Sequence, residues 1–396
     1  MQKMKFLYNY YNNFNILIGF SIIVRLTIFL LAMVFVINDH KGYVVSPLVV
    51  QKGIDTKFYQ SAANHYKTIG ISVLIEKTKA FYQAPEIIVE KPEASLSKIS
   101  PLPLFPLTLI GFNYKTGNTL PLAIFYLFVS CILCYGWLKW LKQNNVPNWG
   151  LWTFAVIPNP VYFMLAISTD LLFAFLFFIF FVSYFNEHRH SKNSFWIYSL
   201  IGMSLLRPNA ISIILFVLWD KYFNDENSLI RDNRKLNLLI IVVTGILVVF
   251  TLPYFIYYVT FAKSFTYFGI SNEEYLRGAF GIFPEVLDRI ISLGSFILAK
   301  ILYFVGLRPS YSDIPMHMLF LRSFVGIFLL PGFFYLYFYG DKRIKYLFSL
   351  YILPIFLGAT QDRYHLPVMP ILYFYGIVAF KEFYDKLFLG RKNIEY

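Results

Sequence analysis

The feature that most constrains this chain is the repetition of apolar runs. About ten follow one another, many of roughly 17–25 residues, the length that a bilayer core requires. A water-soluble fold of this length does not hold so much apolar chain. Hydrophobic residues make up 58% and charged residues only 14%, where soluble proteins carry about 25% charged residues. The expected fold is therefore all-α and polytopic, with about 10–11 transmembrane or membrane-embedded helices. Many Tyr and Trp lie near run ends, where amphipathic rings favour the membrane interface.

The formal net charge is +13. In such a chain this points to basic flanks on the cytoplasmic side and to anionic headgroups. No nucleic-acid partner is expected. Lys3 and Lys5 precede the first run, near Ile16–Ile37, which puts the N-terminus in the cytoplasm. No cleavage site follows that run, so it reads as a retained span and not as a signal peptide. Cys131 and Cys134 have the spacing of a redox or metal pair, but they sit inside an apolar helix with no second cluster. Packing is the reading for them.

One stretch breaks the pattern. Residues 38–100 are polar, follow the first span, and would form an outer loop capping a single transmembrane domain over residues 1–396. Within it, Asp55–Tyr66 and Ile69–Ala80 read as short surface helices. Pro101, Pro103 and Pro106 then mark a kinked re-entry. Further on, Phe195–Trp219 is interrupted by Arg207-Pro208-Asn209. Two short helices meeting at an outer turn fit it, as does one kinked span. The pair keeps the basic stretch Lys221–Lys235 in the cytoplasm, but then Ile290–Val305 must fail to cross.

Few residues in this chain can carry chemistry. Asp55 opens a loop helix and shares a face with Tyr59, one turn on. At an outer surface its carboxylate can take a proton from a hydroxyl; on position alone it reads equally well as an N-cap. Asp170, after Ser168-Thr169, reads as a helix cap in the field of an N-terminus, or as a second acid beside Asp55. Two such acids would divide the roles of base and acceptor positioning, or hold a divalent metal. Arg207 lies in an apolar stretch, where a charge faces the protein interior or a cavity. Arg363 and Tyr364, before Pro367 and Pro370, suit a phosphate clamp at the outer face. Arg277 and Arg308 are weaker candidates of the same type. The six histidines show no metal-ligand spacing, and no Gly-rich nucleotide loop is present.

In order, these features resemble the GT-C superfamily of integral membrane glycosyltransferases. The likeness rests on Asp55 with Tyr59, on Pro158-Asn159-Pro160 leading to Ser168-Thr169-Asp170, on Leu206-Arg207-Pro208-Asn209, and on Gln361-Asp362-Arg363-Tyr364 with Pro367 and Pro370. It is similar to bacterial relatives of the second mannosyltransferase of GPI-anchor assembly, and to the protein O-mannosyl and lipid A aminoarabinose transferases. The resemblance implies a polyprenyl-phosphate sugar donor, a lipid-linked glycan or other hydroxyl acceptor, and inverting transfer at the outer face of a bacterial cytoplasmic membrane. It makes Asp55 the base and Arg207 and Arg363 the donor-phosphate ligands. The chain departs from the family pattern at Ile54-Asp55-Thr56, where an Asp-Glu pair or Trp-Asp is common. It departs again at Arg207-Pro208-Asn209-Ala210, where Arg-x-Asn-Gly is expected. These departures leave the sugar and the need for a metal open. A polysaccharide polymerase of the O-antigen type and a lipid or solute transporter are the rival readings.

Overall fold

The computed structural model describes residues 13–34, 37–38, 44–45, 54–70, 72–83, 102–113, 119–165, 168–186, 195–223, 244–245, 248–253, 256, 260, 262–280, 286–307, 323–358, 360 and 362–388. Over these residues the chain is mostly helical, with fifteen α-helices and two short antiparallel ribbons. The expected span near residues 236–259 and the loop portion 84–100 lie largely or wholly outside the described residues.

Helix α1 (Phe14–Val34) and α5 (Leu120–Gln143) are long and apolar enough to cross a membrane, by length and composition. A two-residue ribbon, β1 (Ile37–Asn38) with β2 (Val44–Val45), follows α1. The loop contains α2 (Ile54–Ile69) and α3 (Ser72–Gln83), near the bounds read from the sequence. The short helix α4 (Leu104–Gly111) starts after Pro103, takes Pro106 into its first turn and packs against α2, with the Tyr59 ring edge-on to Phe105 at 4.8 Å.

The next apolar run is divided. α6 (Asn148–Val156) stops at Ile157 and α7 (Pro158–Leu165) restarts on a proline that has no N–H to continue the ladder. The break is met from across the bundle by Arg25 of α1, which is fully buried. Its guanidinium donates to the Ala155 carbonyl in the last turn of α6 (3.1 Å), to the Ser21 carbonyl (3.1 Å), and to Ser130 Oγ of α5 (3.3 Å). A carbonyl orphaned at a helix end is thus satisfied inside the protein.

α8 (Thr169–Asn186) is followed by α9 (Phe195–Ser204) and α10 (Ala210–Phe223), which meet at a turn over residues 205–209. Trp196 at the start of α9 and Phe216 midway along α10 both pack against Tyr184, at 5.4 and 5.7 Å. The two helices are therefore antiparallel, and of the two shapes the sequence allowed the structure has the helical pair. The far end of this hairpin is locked by Asp220. It is fully buried, receives a two-pronged contact from Arg343 (2.9 and 2.6 Å), and accepts from the Tyr184 hydroxyl (2.8 Å).

A second ribbon, β3 (Thr266–Tyr267) with β4 (Ile270–Ser271), turns through Phe268 and Gly269. Both have positive φ, 52° and 84°, as a two-residue hairpin turn of this hand requires. It leads into α11 (Asn272–Phe280) and α12 (Val286–Phe304). The last three helices are α13 (Gly326–Tyr339), α14 (Lys342–Leu357) and α15 (Met369–Phe388). Asp341 caps α14 through the N–H groups of Arg343 and Ile344. A single-turn 3-10 helix, Asp362–His365, joins α14 to α15. α13 and α15 cross at glycines: a Cβ on Gly332 would lie 1.9 Å from the Leu372 carbonyl oxygen, and one on Gly376 would lie 2.2 Å from that of Phe328.

Candidate functional site

Six segments meet at the end of the bundle where α8 begins. Asp170 sits in the first turn of α8, where the unpaired N–H groups favour a carboxylate. Ser168 precedes it and donates its hydroxyl to Asp170 Oδ2 (2.9 Å). Arg207 comes from the α9–α10 turn, where Pro208 stops the helical ladder and leaves the side chain free to reach α8. Its Nε donates to Thr169 Oγ1 (2.6 Å), and its Nη2 lies 2.7 Å from Asp170 Oδ1. That oxygen accepts no hydrogen bond from the described residues, so the contact with Arg207 is an ion pair off the N–H direction. The pair is nearly closed to solvent, with Asp170 2% and Arg207 14% exposed.

Around it stand aromatic hydroxyls. Tyr126 of α5 is fully buried and donates its hydroxyl to the Ser168 carbonyl, tying α5 to the start of α8. Tyr364, in the 3-10 turn, presents its ring to two guanidinium groups. Arg207 lies 5.6 Å and Arg363 5.3 Å from the ring centroid. These are cation–π distances for groups removed from water. Tyr351 of α14 donates its hydroxyl to the Tyr364 carbonyl (2.9 Å) and so fixes the turn that carries the ring. Tyr59 of α2 and Arg363 both lie within electrostatic range of Arg207, and Tyr126 and Tyr351 feel the charges of Asp170 and Arg207.

Tyr59, Asp170, Arg207, Arg363 and Tyr364 are thus brought together. Position 55 lies in the first turn of α2, one turn before Tyr59 and on the same helical face; the Asp55 side chain lies outside the described residues. Arg308 lies outside them as well. Arg277 does not join the cluster. It is 75% exposed and paired along α11 with Glu273 at 2.7 Å, a solvated i,i+4 pair of the kind amphipathic helices carry. Tyr126 and Tyr351 were not singled out from sequence, and Ser168 was read only as part of the run that leads to Asp170. The two tyrosines lie inside apolar runs of a chain with 31 Tyr, and only their three-dimensional contacts set them apart. Among the described residues, no group of three or more His, Cys, Asp or Glu comes together.

Such an arrangement can hold an anion with several oxygens. Guanidinium groups supply charge in a place poor in water, while the Tyr126 and Tyr351 hydroxyls, each donated to a backbone carbonyl, hold the surrounding segments in place. Asp170 keeps Arg207 aimed and offsets the cost of burying it. No protein-family model, no curated protein and no solved structure matches the chain.

Proposed function

We propose that the chain is an integral membrane glycosyltransferase of the GT-C type. It would move a sugar from a polyprenyl-phosphate donor to a lipid-linked glycan or other hydroxyl acceptor, with inversion, at the outer face of a bacterial cytoplasmic membrane. The observation that carries the reading is the approach of Arg207 and Arg363, distant in sequence, to one Tyr364 ring beside Asp170. The loop helix α2 reaches the same place through Tyr59. Scatter of these residues would have favoured the rival readings. Large apolar side chains exposed on the helices, such as Phe128 of α5 at 63% and Leu30 of α1 at 52%, are consistent with a lipid surround.

In this mechanism the acceptor oxygen attacks the anomeric carbon from the face opposite the phosphate. Its proton passes to the carboxylate of Asp55. The bond to the phosphate oxygen breaks, and the oxygen leaves with the electron pair. Arg207 and Arg363 stabilise the charge it gains, which is where fixed cations in a dry site act most strongly. Tyr59 and Tyr364 line the approach, Tyr126 fixes the start of α8, and Asp170 orients Arg207. No step requires a metal, and a divalent ion held by the outer acids stays an open alternative.

The test is a transfer assay. Purified protein in lipid receives a panel of radiolabelled polyprenyl-phosphate sugars and a lipid-linked acceptor fraction. Label should reach the acceptor with the wild-type protein and be lost in folded Asp55→Asn. Absence of both transfer and donor binding across the panel would move the reading to the polymerase or the transporter.

A further inference from the structure

The C-terminal end of α14 is only partly finished by its own chain: the Gly358 N–H donates to the Pro354 carbonyl (3.0 Å) and the Thr360 hydroxyl to the Ile355 carbonyl (2.8 Å). Helices commonly end on a glycine in the left-handed region, whose N–H groups close the last carbonyls. Gly358 instead has φ −93° and ψ −151°, an extended conformation. The groups that meet the last two carbonyls and the Thr360 N–H come from the β3–α12 unit. Asn272 Nδ2 donates to the Leu357 carbonyl (3.2 Å), Lys300 Nζ donates to the Gly358 carbonyl (3.1 Å), and the Tyr267 hydroxyl accepts from the Thr360 N–H (2.7 Å). Lys300 and Asn272 are themselves joined, Nζ to Oδ1 at 2.5 Å. The ammonium lies 3.8 Å from the Tyr267 ring centroid.

Lys300 is fully buried, and its described hydrogen-bond partners are neutral. An amine is a costly way to end a helix that a glycine could end. Its location gives it a use. The clasp holds residues 357–360, and seven residues after Gly358 the His365 ring nitrogen Nδ1 bonds the Phe304 carbonyl of α12 at 2.7 Å. The same unit therefore grips the segment on both sides of Arg363 and Tyr364, the two residues that complete the cation–ring arrangement.

We infer that Lys300 and Asn272 are positioning residues: through the carbonyls of Leu357 and Gly358 they set the place of Arg363 and Tyr364, and so the affinity of the site for a lipid phosphate. The affinity part rests on the proposed function; the positioning part does not.

Hydrogen exchange of the full-length protein in lipid separates the two. In Lys300→Met, exchange over residues 357–366 should rise about tenfold, as loss of a hydrogen bond from a charged group implies. Exchange in α5 and α8 should stay as in the wild type. Asn272→Ala, which keeps the amine, should show a smaller rise over the same residues and serves if Lys300→Met does not fold. Binding of polyprenyl phosphate, the probe without sugar, should weaken in Lys300→Met. It should weaken no further in Lys300→Met/Arg363→Ala than in Arg363→Ala alone. Unchanged exchange over 357–366 in a folded variant, a rise spread evenly over the chain, or fully additive losses of binding would each overturn the inference. Local loosening together with no probe binding by the wild type would uphold the positioning and sink the glycosyltransferase reading instead.

Discussion

Asp170 and Arg207 show how a charge is kept inside an apolar bundle. Each would be expensive alone, and together they close an ion pair braced by Ser168 and Thr169. Their attraction mostly offsets the loss of water and adds little beyond it. Breaking the pair from one side should therefore be worse than removing both members. Asp170→Asn should cost about 3–5 kcal/mol of stability by leaving a buried guanidinium uncompensated. Asp170→Leu/Arg207→Met should cost less than the sum of its two singles. Thermal or denaturant unfolding in detergent measures both; additive losses would show that the pair is not coupled. Arg25 is held differently, by carbonyls and hydroxyls, because its task is to close the end of α6.

At the scale of elements, the α13–α15 crossing depends on two glycines that let the backbones touch. Close approach through small residues is a common way for helices to associate where apolar burial gives no extra drive. Gly332→Ala places a methyl 1.9 Å from a backbone oxygen that cannot swing aside. It should lower stability by about 1–3 kcal/mol or more. Gly294→Ala, which meets nothing within 4 Å, should not; comparing the two midpoints tests the packing. Such contacts mark the limit of what the sequence shows. The break at Arg207-Pro208 was legible because proline and charge interrupt an apolar run. Asp170 was legible because it opens one. Lys300 stands out in sequence as a cation in an apolar run, but nothing near it says that it closes a helix 58 residues later. Arg25 was passed over for the same reason, since its partner carbonyl is freed by a proline in another helix. The β3–β4 ribbon has two-residue strands and a phenylalanine with positive φ, so periodicity could not reveal it.

On the scale of the molecule, two buried ion pairs lie at opposite ends of α8. Asp170 with Arg207 lies at one end of α8. Tyr184 with Asp220 and Arg343 lies about 21 Å away, fourteen residues along the helix at 1.5 Å each. Between them α8 is almost wholly aromatic and aliphatic, with Phe173, Phe177, Phe180 and Phe181 buried. The far pair ties α10 to α8 and to the start of α14, whereas the near one is joined by Arg363, Tyr364 and the loop helix α2. That asymmetry is why the near end is proposed as the reacting end. Its central claim is that the site takes a lipid phosphate by its charge. The most direct test is equilibrium binding of polyprenyl phosphate, with unphosphorylated polyprenol as control, to the wild type and to Arg363→Ala. The account predicts binding that needs the phosphate and weakens about 10–100-fold in the variant, the worth of one charged hydrogen bond. Equal binding of the alcohol, or an unchanged affinity in Arg363→Ala, would contradict it.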